Sequence, residues 1–157
     1  TQPELLEKPI GGSPLSILVV EDNVISQVMI KKVLTRWGHQ VTIAKNGNEG
    51  LGHLKINSYD LVFMDVQLPY LDGLRLTQQV RLLESSLGKH TPIFALTSFV
   101  MKDDQARCLE AGMDGYLAKP LSLKRLNEIL HQVCQARNLQ ETTQSAIAPQ
   151  KTAQRHC

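Results

Sequence analysis

The chain has 157 residues, of which 42% are hydrophobic and 20% charged, and its formal net charge is +2. This composition is ordinary for a globular protein, and so small a charge argues against a nucleic-acid or membrane surface. No apolar run approaches the roughly 20 residues of a membrane-spanning helix. The length allows one domain with a full hydrophobic core and short extensions.

The first half of the chain alternates short apolar strands with helices. The run SILVV (16–20) is rich in β-branched residues and predicts a buried strand. QVTIA (40–44) and DLVFMD (60–65) predict two further strands, and NGNEGLGHLK (46–55) predicts a helix weakened by its internal glycines. A helix that stops at Gly38 is predicted from apolar residues at helical spacing, namely Val24, Ile25, Val28, Met29, Val33 and Leu34.

The second half continues the same alternation. Glycines and prolines separate the apolar runs and set the predicted boundaries. The predicted elements are a helix from Gly73 to Leu83, a strand IFALT (93–97), a helix from about Lys102 to Ala111, a strand GYLA (115–118) and a last helix from Leu123 to about Arg137.

Five strands that are continuously apolar are typical of a parallel sheet with helices on both faces. Right-handed crossovers then favour an α/β, flavodoxin-like three-layer fold with five helices and strand order 2-1-3-4-5. We place this single domain at 16–137. It follows an N-terminal linker or flexible segment (1–15) and precedes a polar tail (138–157) that we predict to be disordered.

The N-terminus gives an expectation about the origin of the chain, and the cysteines give one about its cellular location. No initiating Met and no signal-peptide apolar region are present, which indicates a processed chain or a piece of a longer protein. Cys108, Cys134 and Cys157 have no paired or metal-type spacing, which favours reduced thiols in a cytoplasmic protein.

Polar side chains stand at the carboxyl ends of four predicted strands. Glu21 and Asp22 follow the first strand, Asp65 ends the third, Thr97 ends the fourth and Lys119 follows the fifth. Because ligands bind outside the carboxyl ends of strands in an open parallel sheet, we expect these side chains to converge at one edge.

Three clustered carboxylates repel one another and raise one another's pKa unless a cation relieves them. Mg²⁺ prefers oxygen ligands and keeps several waters, so two carboxylates and a carbonyl suffice to hold it. Such an ion would neutralise charge on an incoming phosphoryl group. Asp65 is then a nucleophile of the aspartyl-phosphate type, and the Lys119 ammonium and Thr97 hydroxyl would bind phosphoryl oxygens.

These features, together with VEDNVISQ, MDVQLPYLDG and the Lys119–Pro120 pair, resemble the receiver domain of two-component response regulators from about Ser16 to Val133. The resemblance implies that Asp65 accepts a phosphoryl group, and that the Lys119–Pro120 peptide is cis. The roles that it implies for the other residues are Mg²⁺ ligation by Glu21, Asp22, Asp65 and the main-chain carbonyl of Gln67, and phosphoryl sensing by Thr97 and Lys119.

Two further roles follow from the same resemblance. Thr97 and Tyr116 would form the switch that reports phosphorylation. Gln67 and Phe99 occupy the two positions that tune the lifetime of the acyl phosphate. Phe99 offers no hydrogen bond to an attacking water, so we predict slow self-dephosphorylation.

The resemblance implies a phosphoacceptor in a phosphorelay that catalyses its own phosphorylation from a histidine kinase or histidine phosphotransfer domain. The sequences VEDNVISQ and MDVQLPYLDG resemble those of receivers fused to hybrid sensor histidine kinases, so we expect a larger, membrane-associated parent kinase. The alternative is an unphosphorylated receiver-like interaction module. A nucleotide- or flavin-binding enzyme would need a glycine loop where EDNVIS stands, and a metal-dependent phosphatase would need an acid at Gln67.

Overall fold

Five parallel strands form the central sheet in the order β2-β1-β3-β4-β5. The structure is a computed structural model, and it describes residues 14–66, 73–98 and 102–136, with the backbone alone for 102–104. The strands are β1 (Ser16–Val20), β2 (Gln40–Ala44), β3 (Leu61–Asp65), β4 (Ile93–Thr97) and β5 (Gly115–Ala118). The helices are α1 (Val24–Arg36), α2 (Gly47–Ile56), α3 (Gly73–Ser85), α4 (Lys102–Ala111) and α5 (123–136). The predicted α/β fold and strand order are confirmed.

Each face of the sheet is covered by its own apolar cluster. One cluster packs α1 and α5 against the sheet and contains Ile17, Val19 and Trp37. The other packs α2, α3 and α4 against the opposite face and contains Leu18 and Val20. Because successive strand residues point to opposite faces, both faces of β1 need apolar side chains. This requirement explains why the strand lacks polar–apolar alternation.

Asparagine caps fix where the first two helices begin. The Asn23 side chain accepts a hydrogen bond from the Ser26 amide at 2.9 Å. Asn46 accepts one from the Glu49 amide at 2.9 Å, and the Glu49 carboxylate in turn accepts from the Lys45 amide. The two bonds to asparagine satisfy amides that a helix start leaves unpaired, and all three bonds hold the loops that follow β1 and β2.

The apolar residues of α1 fall into two groups that sequence spacing does not separate. Ile30, Val33 and Leu34 are buried against the sheet. The other four, which we call the α1 apolar patch, have 50% to 76% of their surface exposed: Val24, Ile25, Val28 and Met29. Helical spacing identified α1 correctly, but only the packing shows that part of its apolar surface faces solvent.

Helix α3 extends two residues beyond the predicted Leu83, and some of its polar residues are buried. Leu82 is 74% exposed, whereas Thr77 and Glu84 are buried. The Thr77 hydroxyl donates to the Gly73 carbonyl at 2.8 Å, and Glu84 accepts from Arg81 at 2.7 Å. Buried polar groups are tolerated when they are paired in this way.

None of the helices within the described ranges is long and apolar enough to cross a membrane. Cys108 and Cys134 are buried in separate apolar clusters. Cys157, the predicted tail (138–157) and most of the predicted linker (1–15) lie outside the described residues, so those boundaries stay predictions.

Candidate functional site

Three carboxylates meet at the carboxyl ends of β1 and β3, which we call the carboxyl edge of the sheet. One oxygen from each of Glu21, Asp22 and Asp65 lies within 4.8 Å of the others, a spacing that could hold a metal ion. Glu21 is fully buried and Asp65 is 5% exposed, whereas Asp22 faces solvent. The donor set is entirely hard oxygen, which suits Mg²⁺ or Ca²⁺ rather than a softer metal.

Lys119, from the end of β5, reaches across β4 into this cluster. Its Nζ lies 2.6 Å from Glu21 Oε1 and 3.1 Å from Asp65 Oδ2. The Lys119 amide donates to the Thr97 carbonyl at 2.8 Å and so extends the β4–β5 ladder by one bond. The Lys119–Pro120 peptide is cis, as the resemblance implied. The structure therefore brings together four of the side chains predicted to converge, those of Glu21, Asp22, Asp65 and Lys119.

The charges at the carboxyl edge are not balanced. The pKa of Glu21 is raised to about 7, first by burial and then by the neighbouring Asp65 carboxylate, against the lowering effect of Lys119 and the Asn23 amide. Burial lowers the pKa of Lys119, but its hydrogen bonds to Glu21 and Asp65 outweigh that effect and leave it raised. One ammonium therefore faces three carboxylates, and a bound cation would relieve the excess negative charge.

The loop before α1 holds Glu21 more tightly than Asp22. Asn23 donates its amide to Glu21 Oε2 at 3.0 Å, and Gln27 Nε2 donates to the Glu21 carbonyl at 2.6 Å. With Lys119 on its other oxygen, both Glu21 carboxylate oxygens are engaged. The exposed Asp22 carboxylate is therefore better placed to contact a metal ion directly, and the Glu21 carboxylate is better placed to contact it through a water molecule.

Gly73 lets α3 begin directly against Asp65. A Cβ at this position would overlap the carbonyl oxygen of Asp65 and lie 3.0 Å from Val66 Cα. Its backbone φ is not among the positive values found at Gly38, Gly88 and Gly112. Close approach, and not a left-handed conformation, is therefore what requires glycine here.

Replacing Gly73 by Ala should destabilise the fold by about 1–3 kcal/mol, because the methyl group must displace backbone at the end of β3. Urea unfolding of the purified variant measures this. Gly52→Ala is the matched control, because that glycine is also helical and a Cβ there meets nothing within 4 Å. We expect Gly52→Ala to stabilise by about 0.5–1 kcal/mol. Equal effects of the two substitutions would contradict the close-contact explanation.

The two predicted switch residues lie on neighbouring strands. Thr97 is 5% exposed and pairs in register with Ala118, two residues after Tyr116. The Tyr116 ring packs, partly buried, against the α2–α4 face, and its hydroxyl accepts a hydrogen bond from Gln105 Nε2 at 3.2 Å. The sequence did not predict the hydrogen bond from Gln105, because no sequence pattern links a residue of α4 to Tyr116. Gln67 and Phe99 lie outside the described residues.

A family model described as the response regulator receiver domain matches residues 17–131. The chain is 42% identical over 134 residues to hybrid signal transduction histidine kinase I of Dictyostelium discoideum, covering 80% of this chain and 8% of that protein. It is 39% identical over 140 residues to the osmosensing histidine protein kinase SLN1 of Saccharomyces cerevisiae, covering 85% of this chain and 11% of that protein. The chain thus spans a small part of these relatives' length.

Two solved structures are similar over nearly their whole length. The receiver domain of sensor histidine kinase PA1611 from Pseudomonas aeruginosa, with a magnesium ion in its active site cleft, is 37% identical, with a TM-score of 0.70 over 78% of this chain and 98% of that one. The receiver domain of Ssk1, co-crystallised with the phosphotransfer protein Ypd1 of Saccharomyces cerevisiae, is 30% identical, with a TM-score of 0.76 over 81% of this chain and 93% of that one. The chain belongs to the response regulator receiver domain family of two-component phosphorelays, and it is similar to the receivers of hybrid histidine kinases.

Proposed function

We propose that this receiver accepts a phosphoryl group from a phosphohistidine onto Asp65. The observation that supports this most is the meeting of the Asp65 carboxylate, the Lys119 ammonium and two further acids at one edge of the sheet. In the reaction an Asp65 oxygen bonds to phosphorus, the phosphorus–nitrogen bond breaks, and the donor imidazole leaves. Transfer of labelled phosphoryl to the wild-type chain and to Asp65→Asn tests this assignment.

The side chains around Asp65 have distinct proposed roles. Lys119 already binds an Asp65 oxygen and would bind a phosphoryl oxygen as charge builds on the transferring group. The Thr97 hydroxyl, at the end of the neighbouring strand, would bind another. Movement of Thr97 toward the phosphoryl group would open space next to Tyr116, which gives a shift between two side-chain packings.

The residues present fit a magnesium ion, because their donor set is hard oxygen with excess negative charge. We propose that Asp22, Asp65 and the Gln67 carbonyl hold it, with Glu21 acting directly or through water. A bound Mg²⁺ would supply positive charge for the phosphoryl oxygens. The similar PA1611 receiver has magnesium in its active site cleft.

Magnesium should stabilise the fold and should do so through Asp22. We expect MgCl₂ to raise the thermal unfolding midpoint of the wild-type chain, because a ligand that binds only the folded state stabilises it. Asp22→Asn should lose most of that rise, whereas Glu128→Gln, an exposed site on α5, should retain it. Differential scanning fluorimetry with MgCl₂ and with EDTA measures the shift. An equal shift in Asp22→Asn would contradict the proposed ligand set.

The α1 apolar patch is the surface that we propose for the phosphodonor. Helix α1 begins two residues after Asp22, so its first turns lie beside the carboxyl edge. Exposed apolar side chains grouped on one helix indicate an interaction surface. The similar Ssk1 receiver was crystallised with the histidine phosphotransfer protein Ypd1. A histidine phosphotransfer domain or a histidine kinase is therefore the proposed partner.

Ile25→Glu should slow phosphotransfer from such a protein donor by about 30-fold, the effect of losing about 2 kcal/mol at an interface hot spot. Labelling by a small-molecule phosphodonor should be unchanged, because the carboxyl edge stays intact. Leu82→Glu is the control, since Leu82 is exposed to a similar extent on α3. An equal loss of phosphorylation rate with the protein and the small-molecule donor would argue against docking at α1. So would an equal loss of phosphotransfer rate in Ile25→Glu and Leu82→Glu.

The lifetime of the phosphorylated state rests on residues outside the described ranges. Gln67 and Phe99 stay the predicted tuning positions, and slow self-dephosphorylation stays the expected behaviour. A cytoplasmic location and a membrane-associated parent kinase are proposals of the same kind.

A further inference from the structure

A cavity of about 270 Å³ lies at the opposite end of the sheet from Asp65. It opens between the last turns of α2 and α3 and the loops that lead into β3 and β4. Its apolar wall is formed by Leu54, Tyr59, Val80, Leu83 and Leu87. Two of these residues remain strongly exposed, Leu83 at 43% and Leu87 at 70%, so the cavity has apolar surface that an occupant could cover.

The rim of this cavity is cationic. Lys55 and Lys89 both line it, and both are exposed. The one acid in the lining, Glu84, is already paired, because its carboxylate accepts from Arg81 at 2.7 Å and from the Thr91 amide at 2.9 Å. An occupant with apolar side chains flanked by negative charge would therefore match this surface.

The chain itself offers such a segment directly before β1. Residues 1–13 lie outside the described residues, and their sequence, TQPELLEKPIGGS, has Leu5 and Leu6 between Glu4 and Glu7. β1 starts beside the cavity, because the Ser16 amide donates to Asp60 Oδ2 at 2.8 Å and the Asp60 amide donates to the Ser16 carbonyl at 2.8 Å. Asp60 directly follows Tyr59, which lines the cavity.

The length of the intervening chain permits the contact. Nine residues lie between Leu6 and Ser16, and the ten steps from one to the other span up to about 33 Å in an extended chain. That reach is comparable to the diameter of a small domain. The connecting residues include Gly11 and Gly12, which allow the chain to change direction at low conformational cost.

We propose that residues 4–7 bind in this cavity, with Leu5 or Leu6 against Tyr59 and Leu87 and with Glu4 and Glu7 near Lys55 and Lys89. The contact would set the direction in which the chain enters the receiver, at the end of the sheet away from the phosphorylation site. It does not depend on the proposed phosphoryl chemistry.

Nuclear magnetic resonance of the isotope-labelled 157-residue chain tests the proposal. We expect nuclear Overhauser effects between the methyl groups of Leu5 or Leu6 and protons of Tyr59, Leu83 or Leu87. The double variant Leu5→Ser/Leu6→Ser should shift the amide signals around the cavity and leave those of Val19 and Val20 unchanged. Unchanged signals of Val19 and Val20, which are buried in β1, would show that the fold persists and that loss of folding does not cause the shifts.

A matched pair of substitutions on the receiver gives an independent control. Leu87→Glu, at an exposed residue that lines the cavity, should abolish the contacts to Leu5 and Leu6. Leu82→Glu, equally exposed but outside the cavity lining, should preserve them. The proposal is overturned if the contacts are absent in the wild-type chain, or if they survive Leu87→Glu. It is also overturned if they occur only between differently labelled copies and vanish on dilution.

Discussion

Asp65→Asn should reduce phosphoryl transfer to this chain by at least about 10³-fold, because an amide oxygen is a poor nucleophile and loss of a nucleophile removes the main route of reaction. The substitution preserves the shape of the side chain, and Asn can still accept from Lys119. The fold should therefore persist. The measurement is the rate of label incorporation from a phosphorylated histidine phosphotransfer protein with Mg²⁺ present.

Asp60→Asn is the matched control for this experiment. Asp60 directly precedes β3 and Asp65 is the last residue of β3, so the two acids lie at opposite ends of the same buried strand. The Asp60 carboxylate accepts from the Ser16 amide, a bond that an Asn side chain can also make. We expect Asp60→Asn to accept the phosphoryl group at the wild-type rate. Undiminished transfer in Asp65→Asn would remove Asp65 from its proposed role.

Lys119→Met should slow phosphorylation by about 10²-fold, the usual effect of removing one donor that stabilises transition-state charge. In this chain the ammonium lies 3.1 Å from Asp65 Oδ2 and 2.6 Å from Glu21 Oε1, so it is already positioned beside the proposed nucleophile. The rate with a small-molecule phosphodonor measures this effect without donor docking. Lys124→Met, at an exposed lysine on α5, should leave the rate unchanged.

The same substitution should also change stability in a magnesium-dependent way. Breaking a buried ion pair costs about 3–5 kcal/mol. The Lys119 side chain is 22% exposed, and Glu21, with a pKa of about 7, can take up a proton, so we expect a smaller loss of about 1–2 kcal/mol. Urea unfolding at neutral pH should show the loss, and Mg²⁺ should recover part of it. Unchanged stability and an unchanged phosphorylation rate in Lys119→Met would contradict the role of this residue.

The sequence predicted the layers and the place of the site because both follow from local patterns. A continuous apolar run such as LVFM, directly before Asp65, indicates a strand buried on both faces, and β3 is buried throughout. The crossover rule then brings the ends of β1, β3 and β5 to one edge. The positions of Asp22, Asp65 and Lys119 could therefore be predicted without knowing any side-chain conformation.

Other features depend on packing that no local pattern encodes. Val28 and Ile30 are both apolar residues of α1, yet one faces solvent and the other faces the sheet. The bond from Gln105 to Tyr116 joins residues from two elements whose relative placement is fixed by the whole fold. The cavity between α2 and α3 forms because the ends of two helices meet there, and its lining residues are dispersed in the sequence.

The most direct test of the central claim is to locate the phosphoryl group chemically. The wild-type chain is phosphorylated in the presence of Mg²⁺, treated with borohydride to reduce the acyl phosphate to homoserine, and mapped by peptide mass spectrometry. We predict homoserine at position 65 in the peptide that contains LVFMD, and none in Asp65→Asn. Reduction at another carboxylate, or a phosphoryl group that borohydride does not remove, would contradict the account.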